Sequence, residues 1–164
     1  NVTKTANSYI VTSASEKSPE VAYKACTKAS ASAITIPATI EVNRITYKVT
    51  SIAANACKNQ KKLKKITIGS NVVSIGDGAF TNCAVLKTIT LPKKLTKLGK
   101  QAFKGCKKLK TITIKSTKMT AKTISANAFK GVGTKTTIKV PRSKKKAYKE
   151  LFRKKGLSNK VKIK

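Results

Sequence analysis

Apolar residues recur at fixed intervals through the middle of the chain. The stretch that begins at Leu63 reads LKKITIGSNVVSIGDGAFTNC, and the stretch that begins at Leu86 reads LKTITLPKKLTKLGKQAFKGC. A third copy, LKTITIKSTKMTAKTISANAFKGV, begins at Leu109 and carries three additional residues. Self-similarity at a period of about 23 residues is typical of stacked architectures, in which each copy buries its apolar residues only against its neighbours.

Each copy opens with alternating apolar and polar residues, which is the period of a half-buried strand. We therefore predict parallel strands at residues 65–68, 88–91 and 111–114, each paired with the next at an offset of one repeat. After a turn and a second apolar pair, the copy closes with an A-F-x-x-C segment. One helical turn there would direct its alanine, phenylalanine and cysteine to the same side. The aligned aromatic residues are Phe80, Phe103 and Phe129.

The residues before the repeats predict a β-rich N-terminal cap. Residues 8–23 read as a hairpin, since SYIVT and EVAYK are rich in strand formers and are separated by turn formers. A second pair of strands, AITIPATIEV and ITYKVTSI, is joined at Asn43-Arg44. We expect residues 1–50 to form a cap over the first coil.

The residues after the repeats predict a second cap. TTIKV, at residues 136–140, predicts a last strand, and SKKKAYKELFRKKG predicts a helix with Ser143 as N-cap and Gly156 past its end. We therefore assign the repeats to residues 51–141 and a basic cap with one helix to residues 142–164. The apolar side of the helix, which is expected to shield the open end of the stack, comprises Ala147, Tyr148, Leu151 and Phe152.

The charge is strongly positive and unevenly placed. The chain has 37 basic residues against 5 acidic ones, and residues 58–164 hold 31 of the basic residues but only Asp77 and Glu150 among the acidic ones. Such a charge is compatible with nucleic-acid binding. With three Arg against 34 Lys and few aromatic residues, it favours a solvated surface or a diffuse attraction to anionic polymers. The candidate polyanion contacts are Lys93, Lys94, Lys97, Lys100, Lys104, Lys107 and Lys108.

The T-I-T triplets predict two outward ladders on the sheet. One interpretation of a regular threonine array is an ice-binding face. We favour the simpler explanation that threonine suits exposed strand positions for steric reasons. The candidate binding face consists of Lys65, Thr67, Thr88, Thr90, Thr111, Thr113 and Lys115.

The residue types that support catalysis are scarce. The chain has no histidine, and among its five carboxylates only Glu16 and Glu20 are close in sequence, in a predicted turn. General acid–base catalysis normally requires a histidine or a pair of carboxylates. The four cysteines contain no C-x-x-C pair, which argues against a zinc site. We predict a protein that is not an enzyme and that binds no cofactor or metal.

The cysteines have two interpretations. Cys83 and Cys106 share a column of the repeat, so a disulfide between them is one expectation for an exported chain. The interpretation that we prefer is small thiols filling the core, which predicts four free thiols. Cys57 aligns with the phenylalanine column, so the sequence predicts that Cys57→Phe restores the repeat.

The pattern L-x-x-I-x-I/L-(P/G), followed by I-G-x-x-A-F-x-x-C and recurring once per repeat, resembles the BspA-like leucine-rich repeat family of bacterial surface proteins. The resemblance covers roughly residues 33–141. It departs from the family at Cys57 in place of phenylalanine, at Gln60 in place of cysteine, and at the insertion before Phe129. The implied fold is a right-handed solenoid, mainly β with short helical turns, with parallel strands on one face.

The resemblance also implies an exported bacterial protein that acts in adhesion or macromolecular binding. We therefore predict a secreted or cell-surface binding module that engages host macromolecules or anionic envelope polymers; the alternative is a structural spacer within a longer surface protein. No apolar run reaches the roughly 20 residues of a membrane span, and no signal peptide is evident. Asn1 reads as the start of a mature chain or of an excised fragment.

Overall fold

The structure is a computed structural model that describes residues 7–27 and 30–164, which coil into a solenoid with a sheet on each of two sides. The strands are β1 (Asn7–Ser13), β2 (Glu20–Cys26), β3 (Ala33–Ile36), β4 (Thr39–Val42), β5 (Ile45–Ile52), β6 (Lys65–Ile68), β7 (Ser74–Ile75), β8 (Thr88–Leu91), β9 (Lys97–Leu98), β10 (Thr111–Ile114), β11 (Thr137–Lys139) and β12 (Lys162–Ile163). A 3-10 turn, Arg142–Lys144, leads into helix α1 (Lys145–Lys154).

The sheet formed by the repeat strands is parallel throughout, in the order β12-β11-β10-β8-β6-β3. Strands β6, β8 and β10 have the predicted bounds, and their predicted register is confirmed. Ile66 lies beside Ile89, which lies beside Ile112, and all three side chains are buried. A slip of one residue would turn this row to water, which is why the alternation specifies the register.

The second sheet has the order β1-β2-β5-β7-β9, and β4 pairs with β5. Antiparallel pairing of β1 with β2 confirms the predicted N-terminal hairpin. The segment AITIPATIEV, however, forms two strands, because Pro37 lies between β3 and β4 and cannot donate to a ladder. Strand β3 joins the repeat sheet beside β6, whereas β4 and β5 form a hairpin. At its turn Asn43 and Arg44 have φ of 50° and 64°, as a two-residue type I′ turn requires.

Each coil turns back sharply at two positions where the backbone adopts a left-handed conformation. Glycine and asparagine tolerate that conformation best, and they occupy nearly all of these positions. The exception is Gln101, which has a φ of 54°. The first column consists of Asn55, Gly78, Gln101 and Asn127, and the second of Asn59, Asn82, Gly105, Gly131 and Gly156.

A stack of phenylalanine rings runs through the centre of the solenoid. The centroids of Phe80 and Phe103 are 5.6 Å apart, and those of Phe103 and Phe129 are 6.0 Å apart, so the predicted aromatic column is confirmed. Phe152 of α1 continues the stack, with its centroid 4.7 Å from that of Phe129. The helix therefore caps the core by adding one more ring to the column.

The cysteine prediction is partly wrong. Cys26 and Cys57 form a disulfide, with their Cα atoms 5.0 Å apart, whereas Cys83 and Cys106 are free and buried. Cys26 and Cys57 can pair because they occupy equivalent positions on successive coils. Cys26 N–H donates to the Ala56 carbonyl, and Cys57 N–H donates to the Ala79 carbonyl, both at 2.7 Å.

The two free thiols occupy a different column and make backbone contacts. Cys83 Sγ donates to the Cys57 carbonyl at 2.9 Å, and Cys106 Sγ donates to the Phe80 carbonyl at 3.1 Å. Gln60 replaces cysteine in this column, and its Nε2 donates to the Cys26 carbonyl at 3.1 Å. The core-thiol interpretation is therefore confirmed for Cys83 and Cys106, and the alternative disulfide between them is wrong.

Thiol titration checks this assignment. Denatured, non-reduced protein is expected to show two free thiols, and reduced protein four. Burial raises the pKa of the Cys83 thiol to about 11, and burial also raises the pKa of Cys106. Both thiols therefore stay protonated at pH 8 in the native protein and should react slowly until it unfolds. In Cys26→Ser/Cys57→Ser, the count should be two with or without reductant. Four thiols in the non-reduced wild type would contradict the disulfide.

The C-terminal cap differs in detail from the prediction. Ser143 is not the N-cap of the helix, because Pro141 starts a 3-10 turn that includes it, and α1 begins only at Lys145. Gly156 lies past the helix end with a φ of 91°, as predicted. Of the predicted apolar side, Ala147 is exposed and Leu151 is half-buried, while Tyr148 and Phe152 are buried.

Tyr148 explains how the three-residue insertion in the third copy is accommodated. Its hydroxyl donates to the Ser116 carbonyl and accepts a hydrogen bond from Met119 N–H, both at 3.1 Å. Burial raises the pKa of Tyr148. The lengthened loop of the third copy therefore anchors the C-terminal helix through these two hydrogen bonds to Tyr148.

Candidate binding surfaces

The outward face of the repeat sheet brings the predicted threonine ladders together. Thr88 pairs with Lys65 on one side and Thr111 on the other, while Thr90 lies between Thr67 and Thr113. The side chains of Thr111 and Thr113 are half-buried, and those of the other four residues are exposed. Lys115 is also exposed, and it lies just past the end of β10 instead of within the ladders.

Both ladders extend further than the sequence indicated. Thr35 precedes Thr67 in one ladder and Lys139 follows Thr113, while Thr137 and Lys162 continue the other. The signal for Thr35 was present in the segment AITI, which repeats the pattern of the later strands. The result is a surface with hydroxyl groups at its centre, with Lys65 near its N-terminal end and Lys139 and Lys162 at its C-terminal end.

The seven lysines predicted as polyanion contacts are distributed around one coil. Lys93 and Lys94 lie in the turn after β8, where Lys94 Nζ donates to Asn71 Oδ1 at 2.8 Å. Lys97 belongs to β9, on the other sheet. Lys100 and Lys104 occupy the turn after β9, and Lys107 and Lys108 precede β10; all seven are exposed.

Two of the carboxylates make structural contacts. Asp77 Oδ1 accepts a hydrogen bond from the backbone N–H of Lys100 at 2.6 Å, which ties two successive coils together. Glu20 Oε2 accepts one from the Thr50 hydroxyl at 3.0 Å, between β2 and β5. Among residues 7–27 and 30–164, no cluster of three or more histidine, cysteine, aspartate or glutamate side chains is arranged to hold a metal ion.

The repeat pattern matches a known family over most of the chain. The model of the BspA type leucine-rich repeat region matches residues 20–162 with six copies. The chain belongs to the BspA-type leucine-rich repeat family. Proteins with these repeats are bacterial surface proteins and are typically non-enzymatic, and leucine-rich repeat domains generally mediate protein binding. No curated protein matches the chain.

Solved structures share the architecture. A leucine-rich repeat protein from Bacteroides ovatus is 25% identical with a TM-score of 0.65, over 87% of this chain and 38% of that one. A leucine rich cell surface protein from Faecalibacterium prausnitzii is 21% identical with a TM-score of 0.55, over 98% of this chain and 54% of that one. The pneumococcal vaccine antigen PcpA is 21% identical with a TM-score of 0.53, over 85% of this chain and 45% of that one.

The last two likenesses concern the fold alone, and this chain spans less than two thirds of each of these three proteins. Among the residues that the structure describes, no helix is both long and apolar enough to cross a membrane.

Proposed function

We propose that the protein is a non-enzymatic binding module, secreted or displayed on a bacterial cell, that contacts a host macromolecule through the outward face of its repeat sheet. The observation that supports this proposal is the pair of side-by-side ladders centred on Thr88–Thr111 and Thr67–Thr90–Thr113. The diffuse positive charge adds an attraction to anionic polymers of the cell envelope.

The sheet face has properties that favour association. Its backbone is held by parallel pairing on both sides of β6, β8 and β10, and the isoleucines behind it are buried. Little conformational entropy is therefore lost when a partner docks, which leaves more of the contact energy for affinity. Threonine hydroxyls can both donate and accept hydrogen bonds, whereas the methyl groups supply apolar contact.

The alternative function is a structural spacer within a longer surface protein. A single continuous core supports that alternative, since buried residues extend without a break from Tyr9 to Val161. A spacer needs no partner for its sheet face, so binding experiments separate the two functions.

Changing the sheet face tests the proposal. Thr90→Trp and Thr113→Trp are each expected to lower the affinity for a matrix-protein partner by about tenfold, because a bulky ring prevents close approach to the sheet face. The measurement is binding to a panel of host matrix proteins, heparin and duplex DNA across a salt series. Face binding should survive salt, whereas binding by diffuse charge should fall steeply.

The matched control is Ala126→Trp, which places the same ring at an exposed turn position after Ile124. It should leave binding to the matrix protein unchanged. Tight, salt-resistant and sequence-selective DNA binding would contradict the surface-module proposal. The absence of salt-resistant binding to every matrix protein would favour the spacer.

A further inference from the structure

Lysines align from coil to coil at the entry to the repeat strands. Lys87 N–H donates to the Lys64 carbonyl at 2.9 Å, and Lys110 N–H donates to the Lys87 carbonyl at 2.8 Å. These three residues therefore occupy one column, at the strand spacing of about 4.8 Å. All three side chains are exposed.

Further lysines lie next to this column, in the turns that precede two of the strands. Lys61 and Lys62 precede β6, and Lys107 and Lys108 precede β10. Lys108 N–H donates to the Ala84 carbonyl of the preceding coil at 3.2 Å, so this turn also lies against its neighbour. We call the set the lysine edge; it consists of Lys61, Lys62, Lys64, Lys87, Lys107, Lys108 and Lys110, all exposed.

No carboxylate in this part of the sequence is available to balance the lysine edge. Between Lys58 and Lys149 the sequence contains one acidic residue, Asp77, which lies after β7 and accepts a hydrogen bond from Lys100 N–H. The register of the sheet thus holds like charges in a row, and an anion that bridges successive ammonium groups would relieve their repulsion.

We propose that the lysine edge binds a linear polyanion bearing phosphate or sulfate groups, with the polymer running along the solenoid axis across successive coils. Each lysine presents a compact point charge that binds an anion by proximity, and the edge contains no arginine, whose planar fork would add bidentate geometry. Its row crosses the coils, so one extended chain can contact Lys64, Lys87 and Lys110 in turn.

The same region lacks the features that nucleic-acid bases would need. The aromatic residues between Lys58 and Lys110 are Phe80 and Phe103, and both are fully buried in the ring stack. A stacking platform for bases is therefore missing from the edge. The site is separate from the threonine ladders, and it would remain if the sheet face had no partner.

Two variants that each remove three charges test the site. Lys64→Gln/Lys87→Gln/Lys110→Gln neutralises the central column of the edge. Lys93→Gln/Lys97→Gln/Lys100→Gln removes the same charge from segments spread around one coil. The probes are a linear polyphosphate and a heparin oligosaccharide of matched charge, titrated into the full chain across a salt series.

The edge variant is expected to bind about tenfold more weakly, with the slope of log affinity against log salt reduced by about 2, because three ion contacts are lost. The affinity of Lys93→Gln/Lys97→Gln/Lys100→Gln should fall only about twofold, in proportion to the charge removed. Equal losses in the two variants would overturn the proposal. Melting curves that match the wild type would show that both variants remain folded.

The probes also distinguish the sources of the anion. Tighter binding of polyphosphate points to a phosphate polymer, tighter binding of heparin points to a sulfated glycan, and either result supports the site. Hyaluronan, whose single carboxylate per disaccharide spaces its charges more widely than either probe, should bind more weakly than both, and equal binding would contradict the assignment. Thr90→Trp should leave polyphosphate binding unchanged, so failure of this site and failure of the sheet-face proposal are distinguishable.

Discussion

Replacement of Phe103 by alanine is expected to lower the free energy of unfolding by about 3–5 kcal/mol. Phe103 is fully buried and lies between two other rings, with centroid distances of 5.6 Å to Phe80 and 6.0 Å to Phe129. Its loss therefore removes contacts to both neighbouring coils and leaves a cavity in the middle of the stack. Since each repeat is supported only by its neighbours, this site weakens two interfaces at once.

Thermal and denaturant unfolding measure this effect. Val73→Ala is the matched control, because Val73 is an apolar residue of the preceding coil whose side chain is 37% exposed. That change should alter the free energy of unfolding by about 0.5 kcal/mol at most. If the unfolding midpoint of Phe103→Ala equalled that of the wild type, the ring column would not be the core of the solenoid.

Loss of the Cys26–Cys57 disulfide is expected to lower the free energy of unfolding by about 4 kcal/mol, on the chain-entropy estimate for a closed loop of this length. The bond joins residues 31 apart and links β2 to the first turn of the repeats. Reduction, or Cys26→Ser/Cys57→Ser, frees that loop in the unfolded chain. Melting of oxidised and reduced protein measures the difference.

The double serine variant is also the control, because reductant should leave its melting curve unchanged. Coincident melting curves for oxidised and reduced wild type would contradict a stabilising bond.

The disulfide also reverses the expected effect of Cys57→Phe on stability. Alignment of the repeats predicts that this substitution restores the column, but it removes one partner of the disulfide, so we expect it to destabilise the protein.

Much of the fold was predictable because the repeat acts on every coil alike. The alternation around Ile66, Ile89 and Ile112 predicted the bounds and the register of three strands. Alignment of the three copies likewise predicted the ring column at Phe80, Phe103 and Phe129. Where the chain departs from the period, prediction failed. The prediction that Ser143 is the N-cap of the helix was wrong, because Pro141 precedes a 3-10 turn that includes Ser143.

Of the two candidate surfaces, one was predictable from the repeat pattern and the other largely was not. The threonine ladders followed from strand alternation, and the structure places them side by side, although their role in binding stays a prediction. Of the lysine edge, only Lys107 and Lys108 were predicted from the sequence, because the candidate lysines were grouped by their closeness along one coil. The relevant neighbours of Lys87 are Lys64 and Lys110, which lie a full repeat away in sequence but one strand away in the sheet.

By itself, the sequence determined the repeat, the inward columns and the parallel register, because the repeat places successive strands one period apart and a slip of one residue would turn each buried row to water. The tertiary structure alone decided which residues meet across irregular spacings. Ile34 pairs with Ile66, and Cys26 bonds Cys57 at a separation of 31, so both pairs span more than one repeat length. The hairpin of β4 and β5 lies between the members of both pairs and lengthens the connection, so no fixed period could align them. Only the folded path of the chain brings those residues to equivalent positions on successive coils.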